Sequence, residues 1–321
     1  MSRDCQAFAE TCQVCPSAMT KPTLILIVGP TAVGKTEIAI QLAERLGGEI
    51  VSADSRLFYR GLDIGTAKPT LAERAGAPHH LIDVAEPNET WSLAQFQRAA
   101  REAIADIHAR GKLPFLVGGT GQYVRAAIEG WSPPEVKADS RMRDELGRMK
   151  EERGHEWLYE KLKLLDPEAA KNIDSRNFRR TIRALEVILT TGRKFSAQRG
   201  KGESPYRLIA VGLTRPREEL YARVDARIEA MFDAGLVEET RALLEKGYSP
   251  DLPAMSGIGY RECAGVVEGR MSAEQAKVEM RRATRVFVRR QANWFKESDP
   301  AIRWFQVNER TVEEVEKFIL Q

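Results

Sequence analysis

The chain has 321 residues, 43% hydrophobic and 30% charged, an ordinary composition for a soluble protein and enough length for two domains. With 49 basic against 46 acidic residues the net charge is only +3, so a surface for a polyanion must come from local clustering. No apolar run approaches the 18 residues of a membrane span, so no transmembrane helix is expected.

Residues 1–20 read as an unstructured tail. Three of the four cysteines, Cys5, Cys12 and Cys15, fall in it. Cys12 and Cys15 form a C-x-x-C pair that no second pair or histidine cluster completes into a zinc site. The tail lacks the basic start and apolar stretch of a secretion signal, and Met19 stands just before the first strand as an alternative start. A cytoplasmic location is expected.

A buried strand is expected over residues 24–28, running directly into Gly29-Pro30-Thr31-Ala32-Val33-Gly34-Lys35-Thr36. This is the G-x-x-x-x-G-K-[ST] pattern of a phosphate-binding loop (P-loop), and helical spacing follows it as the pattern requires. The glycines let backbone N–H groups face an anion, Lys35 adds a positive charge, and Thr36 offers a hydroxyl to magnesium. The following helix aims its positive end inward. On this pattern alone the ligand is a phosphorylated or pyrophosphorylated molecule, a nucleoside triphosphate in the first instance.

Gly47 and Gly48 are expected to end that helix. A second strand over 49–53 places Asp54 and Ser55 at its carboxyl end, where open parallel sheets bind ligands. Asp54 there suits magnesium or general-base chemistry, or else a turn or cap. Loops follow over 61–69 and 78–83; His79 and His80 have no partners at metal spacing and read as structural. Ser92 caps an amphipathic helix with Leu93, Phe96, Ala100, Ile104 and Ile107 on one face, closed by Gly111. A third strand over 113–117 ends in Gly118-Gly119-Thr120-Gly121, a second place for backbone to approach a ligand.

Trp131-Ser132-Pro133-Pro134 marks a boundary, after which the pattern is helical and highly charged. From Lys171 to Lys201 nine basic residues (Lys171, Arg176, Arg179, Arg180, Arg183, Arg193, Lys194, Arg199, Lys201) oppose two acids, Asp174 and Glu186, a candidate nucleic-acid face. Strand character returns over 206–213. The expected fold is therefore α/β: a P-loop parallel-sheet core, 21–131 and 205–321, with a mainly helical insertion over 132–204. Arg215 and Arg217 fall on the ligand side of the returning strand, and Arg223 and Arg227 follow. A second basic helix spans about 277–296, where seven basic residues oppose Glu279. In it Arg281, Arg285 and Arg289 make one stripe, which costs stability unless a polyanion or acids neutralise it. Trp294 and Phe295 close that helix as core residues. A short strand over 302–307 and an amphipathic helix complete the chain.

A P-loop, an acidic residue across the crevice and two basic segments call for a small phosphorylated donor and a large polyanionic acceptor. From about residue 23 to 295 the chain resembles the tRNA dimethylallyltransferases, also called tRNA isopentenyltransferases, of the bacterial type. The resemblance rests on an ordered set: GPTAVGKT (29–36), SADS (52–55), YRGLDIGTAKPT (59–70), PHHLID (78–83), LVGGTG-Y (116–123), RALEV (183–187), GIGYRE (257–262) and TR-x3-RRQ-x2-WF (284–295). It implies transfer of a dimethylallyl group from dimethylallyl diphosphate to the exocyclic amine of adenosine 37, next to the tRNA anticodon, by a monomer using Mg2+.

On that resemblance Gly29, Thr31, Ala32, Val33, Gly34, Lys35 and Thr36 hold the donor diphosphate rather than ATP, with the metal at Thr36. Asp54 is the general base, Thr120 faces the adenosine, and Arg217 or Arg223 neutralises the leaving diphosphate. Contacts to the tRNA anticodon stem-loop are expected from Asp54, Ser55, Arg56, Leu57, Thr120, Arg143, Arg179, Arg180, Thr181, Ile182, Arg183, Ser256, Gly257, Ile258, Gly259, Tyr260, Arg261, Arg281 and Arg285. The chain departs from the family at Arg56-Leu57-Phe58, where many members carry Met-Gln-Val, at Gln122, where Leu is common, and at Ser256-Gly257, where Gln-Ala is usual. Two other classes fit parts of the pattern. A small-molecule kinase would leave the basic segments without a role, and an RNA-binding ATPase would use Asp54 to position water.

Overall fold

The structure, a computed structural model, describes residues 21–131, 134, 136, 139–198 and 202–321. The cysteine-bearing tail, Ser132 and Pro133 of the boundary, and Arg199 and Lys201 of the basic segment lie outside the described residues.

Strands β1 (Thr23–Val28), β2 (Gly48–Ser52), β3 (His79–His80), β4 (Leu113–Val117), β5 (Arg207–Thr214) and β6 (Arg303–Gln306) form one parallel sheet in the order β3-β2-β4-β1-β5-β6. Ile25 of β1 stands opposite Phe115 of β4 on one side and Ile209 of β5 on the other. A strand so placed is covered on both faces, which is why it reads as an unbroken apolar run. The chain leaves β1 towards β2 but leaves β4, its neighbour, towards β5. The carboxyl ends of β1 and β4 are thus the topological switch point, where a crevice opens.

Core helices are α1 (Lys35–Leu46), α2 (Leu71–Gly76), α3 (Leu93–Ala109), α4 (Gly121–Ile128), α9 (Arg217–Asp233), α10 (Leu236–Glu245), α11 (Tyr260–Val267), α12 (Ala273–Gln291) and α13 (Thr311–Ile319). Alternate residues of β1 feed two cores. Leu24, Leu26 and Val28 join Phe96, Ala100, Ile104 and Ile107 of α3; Ile25 and Ile27 join Ile38, Ala39 and Leu42 of α1. Between α4 and β5 the chain forms α5 (Ser140–Arg153), α6 (His155–Leu165), α7 (Pro167–Lys171) and α8 (Phe178–Thr191). These four share a third core, which includes Leu146, Leu158, Leu162, Ala184 and Leu185.

Several boundaries differ from the sequence expectation for local reasons. His79 and His80 form a two-residue strand instead of a loop, so the strand expected third in chain order is β4. Gly48 opens β2 rather than ending α1: a Cβ there would lie 2.4 Å from the Phe115 ring, so only glycine lets β2 approach β4. Helix α12 starts earlier and stops earlier than 277–296. Ser272 accepts from the Gln275 N–H and Gln275 returns a bond, a capping box that fixes the start.

Candidate active site at the carboxyl edge of the sheet

The P-loop leaves β1 through Gly29, whose φ of 152° suits glycine and whose missing Cβ would stand 2.6 Å from the Leu213 carbonyl of β5. Ala32 holds a left-handed φ of 67° and Gly34 one of 107°. Gly34 caps α1 without a side-chain bond, so the first N–H groups of that helix are left for an anion. Lys35 donates from Nζ to the Pro30 carbonyl at 2.9 Å. Burial pushes its pKa down to about 8; the Asp54 charge works against that and the Arg227 charge works with it. Thr36 is exposed on the first turn of α1, and its hydroxyl has no hydrogen-bond partner among the described residues.

Arginines from β5 and α9 close the loop from the far side. Arg215 donates to the Val33 carbonyl at 3.0 Å and Arg223 to the Ala32 carbonyl at 2.8 Å. Of the two arginines expected at the leaving group, then, Arg223 meets the loop. Arg217, the first residue of α9, is exposed with no hydrogen bond or ion pair among the described residues. One turn beyond Arg223 stands Arg227, half-buried, with no hydrogen bond to the described residues. Burial and then the Arg223 charge hold its pKa below the ordinary arginine value, and its charge reaches Lys35. The sequence pattern gives Arg227 no role. The available signal is its i+4 spacing from Arg223, which puts both on one helix face.

Asp54 follows β2 in an Asx turn: Oδ1 accepts from the Arg56 N–H at 3.0 Å, and its carbonyl accepts from the Leu57 N–H at 3.1 Å. Among the described residues it has no ion-pair partner, although Lys35 feels its charge. The loop after β4 lies against it, since a Cβ on Gly118 would be 2.6 Å from the Ala53 carbonyl. Thr120 begins α4, yet its hydroxyl makes no capping bond. The structure therefore gathers Asp54, Thr120, Lys35, Thr36, Arg223 and Arg227 around the switch point.

The expected RNA contacts divide. Arg179 and Arg180 are exposed and unpaired among the described residues; Ser256 and Arg261 are also exposed, and Ser55, Leu57, Ile182 and Ile258 are half-buried. Others are engaged within the protein. Arg143 and Arg183 both bind the fully buried Glu186, at 2.9 and 2.7 Å. Thr181 is 1% exposed and donates to the Asn177 carbonyl. Tyr260 is 1% exposed; it donates to Glu239 at 2.6 Å and accepts from the Gly65 N–H, pinning the 61–69 loop. Gly257 and Gly259 are buried. The stripe on α12 is neutralised by α9: Arg281 pairs with Glu229, and Arg285 with Asp225 at 2.7 Å. Arg56 donates to the Pro253 and Ala254 carbonyls and to Ser256 Oγ, so two departures from the family touch each other. Phe58, of the same departure as Arg56, is core: it packs on Trp91, Phe96 and Tyr123.

His80 pairs with Glu49 and His79 with the Ala77 carbonyl, the structural roles expected of them. Lys68 of the 59–70 motif is buried, bonding Tyr59, Asp63 and Asp83. Among the described residues no group of three or more His, Cys, Asp or Glu could hold a metal, and no helix is long and apolar enough to cross a membrane.

Among known families, the IPP transferase model matches residues 57–298 and the isopentenyl transferase model residues 22–84. The tRNA dimethylallyltransferase of Roseiflexus sp. (strain RS-1) is 54% identical over 273 residues, 85% of this chain and 90% of that protein. The chain belongs to the tRNA dimethylallyltransferase family. A second member, from Thermomicrobium roseum, is 46% identical over 89% of this chain and 87% of its own. Among solved members, the tRNA isopentenylpyrophosphate transferase of Bacillus halodurans superposes with TM-score 0.70 at 42% identity, covering 94% of this chain and 96% of that one. A eukaryotic dimethylallyltransferase acting on tRNA gives 0.75 at 26% identity, covering 92% and 77%.

Proposed function

We propose that this chain transfers a dimethylallyl group from dimethylallyl diphosphate to the exocyclic amine of adenosine 37 beside the tRNA anticodon, as a cytoplasmic monomer. The carrying observation is the juxtaposition of an anion cradle, made by α1, Lys35, Arg223 and Arg227, with a carboxylate that has no ion-pair partner among the described residues, Asp54. A kinase reading would leave the exposed Arg179 and Arg180 without a task.

In the reaction the C–O bond between the allylic carbon and the diphosphate breaks, and its electron pair leaves with the diphosphate. The amine nitrogen bonds to that carbon and loses a proton. Charge grows at the leaving oxygens, so fixed cations aimed there lower the barrier most. N–H groups at the end of the P-loop and the start of α1 bind the diphosphate, and Lys35 and Arg227 face it. An adenine amine is a weak nucleophile, since its lone pair is delocalised into the ring. Asp54 accepts the proton as the new bond forms, and Thr120, with its hydroxyl uncommitted to a cap, orients the amine.

Magnesium fits this site, because the Thr36 hydroxyl is exposed at the cradle and Mg2+ is commonly held by one or two protein oxygens plus ligand phosphates and water. When bound, it would add positive charge beside the diphosphate. Residues 132–204 act as an inserted unit that presents Arg179 and Arg180 to the anticodon stem-loop, from which the base must unstack.

The test is incubation of undermodified tRNA with magnesium and labelled dimethylallyl diphosphate. Label in the tRNA with stoichiometric diphosphate release is expected. Turnover of ATP with no label in tRNA would overturn the reading.

A further inference from the structure

Gln291, the last residue of α12, is 7% exposed and touches both halves of the crevice. Its Oε1 accepts from the Thr31 N–H of the P-loop at 2.8 Å, and its Nε2 donates to the Gly119 carbonyl at 3.2 Å. The fit is close, since a Cβ on Gly119 would lie 2.3 Å from Nε2. The turn after α12 extends this seat. Trp294 stacks where a Cβ on Gly121 would come within 2.2 Å, and Arg125 donates to the Trp294 carbonyl at 3.0 Å. A single carboxamide therefore spans the loop that holds the donor and the loop whose next residue is Thr120.

We propose that Gln291 is a positioning residue that sets the distance between donor and acceptor amine, a role that presupposes the transfer activity proposed above. The chemistry calls for glutamine. The Thr31 N–H needs an acceptor and the Gly119 carbonyl needs a donor, and a carboxamide offers one of each at opposite edges at every pH. An ionised glutamate presents acceptors only and would set a negative oxygen against the Gly119 carbonyl. The Thr31 N–H is already committed to Gln291 and the Gly119 partner is a carbonyl, so neither bond uses a cationic group or a free N–H of the cradle, and the expected effect is on the reaction step. A misplacement of about 1 Å between reacting groups costs on the order of 10²-fold in rate.

The test compares wild type, Gln291→Met and Gln291→Glu for single-turnover dimethylallyl transfer, with the affinities for inorganic diphosphate and for tRNA measured separately. Gln291→Met is expected to slow transfer by roughly 10- to 100-fold, with both affinities within about threefold of wild type. Gln291→Glu is expected to recover activity relative to wild type as pH falls from about 8 to 6, because a protonated buried carboxyl again donates to Gly119. The Glu variant also decides the matter if the Met variant fails to fold. Transfer by Gln291→Met at the wild-type rate, a loss confined to diphosphate or tRNA affinity, or a Gln291→Glu to wild-type ratio flat with pH would each overturn the proposal. Absence of label with wild type would instead sink the transfer reading itself.

Discussion

Lys35 ties donor affinity to pH at the scale of one residue. In the free protein its pKa is about 8 against an ordinary 10.5, with burial the main cause. At neutral pH the charged form is therefore held at a cost on the order of 3 kcal/mol relative to the unfolded chain. The folded value is the lower one, so this cost is present below about pH 8 and is relieved as pH rises towards 10.5. A bound diphosphate favours the ammonium and reverses the preference. Affinity for dimethylallyl diphosphate should thus be flat below about pH 8 and fall by up to tenfold per unit above it. The donor's own last ionisation, near about 6, is complete by then. Calorimetric titration from about pH 7 to 9.5 checks this, and Lys35→Arg should lose the downturn because arginine stays charged; a downturn of equal size in that variant would assign the titration elsewhere. Arg227 and Arg217 give the companion test. Arg227→Ala should lower the rate of transfer by roughly 10²-fold, as for loss of one fixed charge-stabilising group. Arg217→Ala should stay within about threefold, since that side chain is exposed and unpaired among the described residues. The reverse order would return the leaving-group role to Arg217.

At the scale of elements, buried acids decide which arginines are free. Glu186 of α8 is fully buried and accepts from Arg143, Arg183 and the Asp139 N–H, and these bonds outweigh burial to hold its pKa below the ordinary value. Removing it strands two guanidinium groups at once. Glu186→Ala should therefore destabilise α5–α8 by about 3–5 kcal/mol, read as a lower urea midpoint, while Arg180→Ala shifts it by less than about 0.5 kcal/mol. The same principle explains what is and is not legible in the sequence. The strands, the P-loop, α3 and the placing of Asp54 and Thr120 at strand ends are legible because each rests on local periodicity and punctuation. The two-residue β3 has too few residues to carry a period. The α12 stripe is legible as charge but not as a pair set, because Asp225 and Glu229 approach it from another helix. Arg227 is hidden because it is the packing of α9 on the loop, not spacing, that chooses among arginines one turn apart.

For the whole molecule a net charge of +3 spread over 321 residues supplies little general attraction for RNA, so binding depends on which cations remain free once the fold has used the rest. Helix α12 looks in sequence like one of two basic faces. Its arginines 281 and 285 are instead balanced by α9, and Arg285 also lies over the Tyr221 ring at 5.1 Å. Arg179 and Arg180, at the start of α8, have no such partner among the described residues. The two sites therefore predict different responses to salt. A cation that neutralises an RNA phosphate releases counterions, and removing one such cation changes the slope of log affinity against log salt by about 0.7–0.9. The double variant Arg179→Ala, Arg180→Ala should weaken tRNA binding and flatten that slope by about 1.4–1.8, with thermal stability unchanged. Arg285→Ala should do the opposite: it leaves the slope as it was and lowers stability by up to about 1 kcal/mol, because Asp225, itself partly exposed, loses its nearest opposite charge. Filter binding between about 50 and 200 mM salt, beside a melting curve for each variant, separates the two. An unchanged slope in the double variant would move the RNA-binding face away from the start of α8. A flattened slope in Arg285→Ala would mean that α12 exchanges its internal acids for phosphates when RNA docks.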